Sequence, residues 1–323
     1  MKGEFLIADF LATPWALRRD VLAGHVQVLN RWFQQGSAAS ASSQPSLIES
    51  AQVFEARRQE STGRVAALGG RSVAVIPVVG TITQRANLMS EWCGGTSTQQ
   101  ISAALAEALR DDAVSQILME FDTPGGSVFG ISELAEEIRE ANKTKPVVGV
   151  ANSLSASAGY WLMSQCAEAY VTPGGEVGSI GVWMAHEDWS EALAESGIVT
   201  TMISAGKYKT EGNPYEPLGE DARAFMQSRV DDYYAAFVRA VARGRNMGVQ
   251  QVRDGMGQGR VLGSEQAKAA GMVDDILALP EVVRRMQRNA RSRTAASTLR
   301  SEDPVRTEPS RLAAACHELD ILG

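Results

Sequence analysis

Cysteine is scarce. Cys93, Cys166 and Cys316 stand far apart in 323 residues, and no two have the spacing of a disulfide framework or a zinc site. A reducing, intracellular compartment is the expectation. Long apolar runs are missing as well, since no stretch approaches the roughly 18 apolar residues that a spanning helix needs. In the amino-terminal MKGEFLIADFLATPWALRRD, Glu4 and Asp9 interrupt the apolar residues and no small-residue cleavage site follows, which argues against a signal peptide. Charge of one sign is not concentrated either, with one exception near the end. The net charge of -7 is moderate and spread out, which favours solubility and argues against a nucleic-acid protein. Histidine is limited to His25, His186 and His317, so the supply of ordinary catalytic bases is poor.

What is present is core. The chain is 44% hydrophobic, enough for one large or two modest domains. Three zones separate by composition. Residues 1–70 read as a polar, helical arm with GSAASASSQPS at 36–46, a run of small residues with the character of a flexible linker. Residues 71–280 alternate strand and helix signals. Residues 281–323 read as a flexible tail: six arginines and no acid fall within 282–301, and RLAAACHELDIL near the end has the pattern of a short amphipathic helix.

Within 71–280, VAVIPVV (73–79), QILMEF (116–121) and PVVGVA (146–151) are apolar runs of strand length, of the kind buried on both faces. Between them Ile101, Ala104, Leu105, Ala108 and Leu109, and then Ile131, Leu134, Ala135 and Ile138, follow helical spacing. Strand, helix, strand, helix, strand predicts an α/β fold with a mainly parallel sheet and right-handed crossovers. A longer helix is expected from Glu220 to Arg243, with Met226, Val230, Tyr233, Phe237 and Val241 on one face.

Two loops should leave the same edge of that sheet, the edge that ligand sites favour. In DTPGGSV, Gly125 and Gly126 directly follow a strand and allow a sharp turn with accessible amides, as an oxyanion site requires; a plain Pro-Gly-Gly turn has the same sequence. In ANSLSASAGYWL, Ser157 falls at a helix start, where the helix dipole would reach its hydroxyl; Ser155 or Ser157 as a simple N-cap is the alternative. A nucleophilic serine needs a base. His186 is the one core histidine, and a desolvated lysine is the other option: Lys207 and Lys209 follow VTTMIS (199–204), a segment with the pattern of an apolar strand.

The ordered set DTPGGSV, SASAGYWLMS, GEVGSIGVWMAH, SAGKYKTEGNPY and GRVLGSEQAKAAGMVDDI resembles the signal peptide peptidase (protease IV) family of serine peptidases. More narrowly, it is similar to the head-maturation proteases of lambda-like phages, and NRWF and ATPWAL in the arm share that likeness. The resemblance covers roughly residues 70–280. It implies a crotonase/Clp-protease-like spiral of βα units and a Ser-Lys dyad in which Ser157 is the nucleophile and Lys209 the general base. It implies further that the amides of Gly125 and Gly126 form the oxyanion hole, and Ser179 is a candidate for holding the lysine ammonium. No metal or cofactor is called for. The implied partners are protein substrates (scaffold, portal and major capsid protein) and other copies of the chain, with no specific nucleic acid and no membrane span. The implied place is the host cytoplasm, within assembling proheads. A signal-peptide-peptidase-like bacterial protease, a crotonase acting on acyl-CoA and a catalytically silent capsid assembly or scaffolding protein are the competing readings.

Overall fold

The computed structural model describes residues 13–18, 21, 64–66, 72–85 and 95–289. Two short strands come first, β1 (Trp15–Leu17) and β2 (Arg64–Ala66). The chain then runs β3 (Ser72–Val79), β4 (Thr81–Thr83), β5 (Gly95–Ser97), α1 (Thr98–Arg110), β6 (Val114–Thr123), β7 (Gly125–Ser127), α2 (Ile131–Ala141), β8 (Val147–Ala156), α3 (Ala158–Met163), β9 (Glu168–Val171) and β10 (Glu176–Gly178). It continues with α4 (Ser190–Glu195), α5 (Glu220–Gly244), α6 (Val249–Gly255), β11 (Val261–Gly263), α7 (Ser264–Ala269), β12 (Asp275–Ile276) and a helix, α8, over 279–289.

The three apolar runs are the spine. β3, β6 and β8 lie side by side and parallel in a sheet of order β11-β10-β8-β6-β3-β2, with β9 joining β8 and β12 joining β9. Among the described residues only β2 and β11 pair antiparallel there, so the fold is α/β with a mainly parallel large sheet. A smaller sheet, β1-β7-β4-β5, is fed by the same chain path: β3 passes into β4 through Gly80, and β6 passes into β7 through Pro124. The repeat is a long strand, a short strand and a helix.

Helix faces follow the sequence pattern. α1 buries Ile101, Leu105 and Ala108, and starts on a capping box in which Ser97 and Gln100 satisfy each other's backbone N–H. Its far end is closed by Lys145, whose Nζ donates to the carbonyls of Ala108 (2.9 Å) and Asp111 (2.7 Å), a cation at the negative pole of a helix. α2 buries Ile131, Leu134, Ala135 and Ile138. α5 spans the expected residues, but of the expected face only Phe237 and Val241 are fully buried, while Met226, Val230 and Tyr233 are half-buried.

Four segments differ from the sequence reading. β8 does not stop at Ala151. It continues to Ala156 through a bulge, since Phe121 pairs with Ala151 but Thr123 pairs with Ser155; Ser153 takes up the extra length at φ 101°. VTTMIS forms no strand; Val199 and Ile203 are 89% and 96% exposed. The chain does not loosen at 280: α8 crosses that point, and its Val282 and Met286 are buried with Val73, Leu118, Val148 and Tyr170 on the second face of the large sheet. The arm contributes a strand, β1, where helix was expected. The linker at 36–46, the remaining tail and the terminal amphipathic stretch lie outside the described residues.

Cys166 sits in the core, 3% exposed, and burial pushes its thiol up to about 12 from an ordinary 9.0. The thiolate is the reactive form, so iodoacetamide at pH 8 should leave Cys166 unlabelled in the native protein and label it after unfolding, read by peptide mass. The sign also fixes an alkaline effect. Because the folded state holds the thiol proton more tightly, this contribution to stability is intact below pH 9 and falls as pH rises between 9 and about 12.

Candidate active site

The site is assembled at the carboxyl ends of parallel strands, where α/β sheets present ligands. Neighbouring strands β10, β8, β6 and β3 each end near a residue with positive φ: Gly178 (124°), Ser157 (54°), Gly125 (103°) and Gly80 (69°). Three of the four corners use glycine, which reaches this region without strain. The fourth uses a serine. At φ 54°, ψ -117° Ser157 has a conformation that costs a side-chain-bearing residue on the order of 1–3 kcal/mol and that collects at functional sites.

The surroundings keep Ser157 there. Its N–H donates to the Gly178 carbonyl (2.7 Å), and its own carbonyl accepts from Trp161 (2.9 Å) in the first turn of α3. Every residue of α3 is buried; the Trp161 ring stacks on Phe237 at 4.6 Å, and the Tyr160 hydroxyl donates to the Met272 carbonyl (3.0 Å). Packing therefore clamps the helix that follows the serine. Ser157 does occupy the N-cap position, yet its side chain makes no capping bond. Its Oγ is buried with no hydrogen-bond partner, an arrangement that costs about 1–3 kcal/mol for a group with no further use. Ser155 is no cap either: it lies within β8, with its Oγ also buried and unpartnered.

Gly125 lies against the serine. A Cβ placed on it would come within 2.9 Å of the Ser157 Cβ and 2.2 Å of the Ala16 carbonyl oxygen. Its N–H donates to Thr123 Oγ1 (3.1 Å), and that hydroxyl donates to the Gly80 carbonyl (2.6 Å). Thr123 thus ties two strand corners together. Gly159 makes room for it, since a Cβ there would sit 2.4 Å from the Thr123 methyl. Gly126 pairs with Ala16 on one side and Ile82 on the other.

Among the described residues, none of the remaining candidates makes a hydrogen bond to the Ser157 hydroxyl. Lys209 is exposed, on a turn where its N–H donates to the Gly206 carbonyl (3.1 Å), and no side-chain hydrogen bond links it to Ser157 or Ser179. Lys207 lies over the ring of Tyr208 and donates to its hydroxyl (2.7 Å). His186 Nε2 lies 2.9 Å from the Asn213 carbonyl oxygen. Ser179 follows Gly178 with φ 55°, its N–H donating to the Arg260 carbonyl (2.8 Å). Thr123, Gly178 and Trp15–Leu17 were missed by sequence reasoning. Only Thr123 carried a usable signal, a small hydroxyl residue opening the Pro-Gly-Gly turn.

The class is set by the fold: an α/β domain whose parallel strands end on a buried, strained serine beside a glycine turn. Residues 139–293, which hold Ser157 and Lys209, match the profile of peptidase family S49, and the chain carries a peptidase S49 domain. It is 37% identical over 205 residues to capsid assembly protease C of Escherichia phage lambda, across 64% of this chain and 46% of that protein. To the head-tail preconnector protein GP5 of Enterobacteria phage P21 it is 33% identical over 205 residues, across 64% and 40%. To the putative signal peptide peptidase SppA of Enterococcus faecium it is 29% identical over 179 residues, across 55% and 52%. The chain thus spans less than half the length of the two phage relatives. Among the described residues, no helix is long and apolar enough to cross a membrane.

Proposed function

We propose that this chain is a serine endopeptidase with a Ser157–Lys209 dyad, acting on head proteins of a phage or prophage (scaffold, portal or coat protein) during assembly in the host cytoplasm. The observation that carries the reading is Ser157 itself: a buried hydroxyl without a partner, held by packing in a backbone conformation that its neighbouring corners reserve for glycine. The likeness to two phage head proteins favours such substrates over signal peptides.

Chemistry follows from the placement. The neutral amine of Lys209 takes the Ser157 proton as Oγ attacks a peptide carbonyl, and the oxyanion settles toward the main-chain amides of Gly125 and Gly126. The tetrahedral adduct expels the amine, which takes the proton from Lys209 and leaves an ester on Ser157. Water then attacks the ester, losing a proton to Lys209, and Ser157 recovers its proton as the acid departs. A lysine serves as base only when neutral, and burial favours the neutral amine.

Lys209 is exposed and makes no hydrogen bond to the Ser157 hydroxyl within one chain, and in our reading the base comes from a neighbouring copy. The stretch 199–209 is exposed throughout. Its apolar Val199 and Ile203 supply a surface for that contact, and Ser179, beside the Ser157 corner, is the group to receive the ammonium. Two measurements check this. Intact masses of portal, coat and scaffold proteins incubated with the wild-type chain should show fragments absent with Ser157→Ala and with Lys209→Ala. Mixing those two inactive variants should restore about a quarter to a half of wild-type turnover, the share set by how many mixed contacts join a sound serine to a sound lysine. Complete silence of the mixture would show that both groups must come from one chain.

A further inference from the structure

Residues 13–18 read TPWALR, and four of them, Pro14, Trp15, Ala16 and Leu17, are buried. β1 lies antiparallel on β7, with Trp15, Ala16 and Leu17 opposite Ser127, Gly126 and Gly125. Val128 N–H donates to the Pro14 carbonyl (3.3 Å) and Arg18 N–H to the Pro124 carbonyl (3.1 Å). Hydrogen-bonded pairs recur at every second residue of an antiparallel ladder, so the pair between these two, Ala16 and Gly126, directs the Gly126 N–H at the Ala16 carbonyl. On its other side β1 meets Trp183: Trp15 and Trp183 exchange main-chain hydrogen bonds of 2.9 and 3.1 Å, and Trp183 Nε1 donates to the Leu17 carbonyl (2.9 Å).

An extended peptide bound for cleavage needs what this slot offers. It needs a free strand edge for its backbone, a main-chain donor at the carbonyl to be attacked, and a serine hydroxyl beside that carbonyl. Ala16 presents its carbonyl oxygen over Gly125, and the Ser157 Cβ lies on the other side of the same small space. Ser157 is meanwhile 1% exposed, too enclosed for a substrate to reach unless something moves.

We propose that Thr13–Arg18 fills the groove in which a peptide substrate lies, so that the chain covers its own nucleophile and a substrate enters as an antiparallel strand by displacing β1. The residue taking the place of Ala16 must be small, because that position is fully enclosed. The inference rests on Ser157 as the nucleophile.

The test uses the full chain and casein as an unspecific substrate. Loosening β1 with Leu17→Gly raises the fraction of open sites, and apparent affinity follows that fraction, so cleavage should speed up by about tenfold; adding Ser157→Ala to Leu17→Gly should abolish it. Equal or slower cleavage by Leu17→Gly, with an unchanged melting temperature and still lost with Ser157→Ala, overturns the inference and leaves the protease reading standing. If no variant cleaves casein, the protease reading fails and the inference with it. A second variant covers poor folding of the first. The pairing of Trp15 with Trp183 sets their Cα atoms about 5.5 Å apart, within disulfide reach, so W15C/W183C in a C93S/C316S background can lock β1 in place. The oxidised protein should be about tenfold slower than the same protein after dithiothreitol. Equal rates with the cross-link verified by mass overturn the inference.

Discussion

Replacing Ser157 by alanine is expected to lower proteolysis by about 10⁴-fold or more, the scale on which a serine nucleophile is lost, with no loss of fold. The hydroxyl makes no hydrogen bond, so its removal breaks nothing, and alanine fills the same space. Alanine inherits the strained corner, however. Ser157→Gly should be equally inactive yet about 1 kcal/mol more stable than Ser157→Ala, because glycine adopts a φ of 54° without the penalty. Peptidase assays and thermal melts of the two variants read both effects. If Ser157→Ala keeps even a tenth of wild-type turnover, with contaminating protease excluded, Ser157 is not the nucleophile.

The second large effect is on stability. Gly126→Ala would place its Cβ 1.8 Å from the Ile82 carbonyl oxygen and under 3 Å from the Ile82 carbonyl carbon and Cα. These are main-chain atoms of β4, which is itself held between β7 and β5, so no side chain can swing aside. The small sheet must open. The expected cost is about 3 kcal/mol, which for a domain of this size lowers the melting temperature by about 6–12 °C. A melt within about 2 °C of wild type, less than 1 kcal/mol on that scale, would show that β4 and β7 are not packed as described. Activity should fall together with stability, since β7 also forms one wall of the groove beside Ser157.

How much of this was legible beforehand depended on whether the deciding contact was local. β3, β6, α1 and α2 were readable because each carries its own periodicity, apolar runs for strands buried on both faces and i, i+3, i+4 stripes for the helices. The position of Ser157 at a strand-to-helix corner was also readable, from small residues ahead of the aromatic pair Tyr160 and Trp161. Its positive φ was not, because three corners signal themselves with glycine and the fourth does not. VTTMIS shows the converse. Its pattern is that of a strand, but a strand needs a partner edge, and among the described residues that segment pairs with none. The placement of β1 depends on Ser127 and Trp183, more than 100 residues away, and nothing in TPWALR announces it. The arginine-rich stretch misled for a simpler reason: its charge masked Val282 and Met286, spaced four residues apart on one helix face and enough to seat α8 on the sheet.

The pairing of β1 with β7 also bears on solubility. With β1 in place, β7 is an interior strand of its sheet; without it, β7 becomes an open edge, rich in glycine and carrying no charged residue. Native proteins normally guard such edges with lysine, proline or a covering segment, because an unguarded edge templates pairing with any extended chain, including another copy of itself. A version of this protein lacking residues 13–18 should therefore be prone to association as well as unmasked, and the six residues that cover Ser157 also act as the sheet's own edge guard.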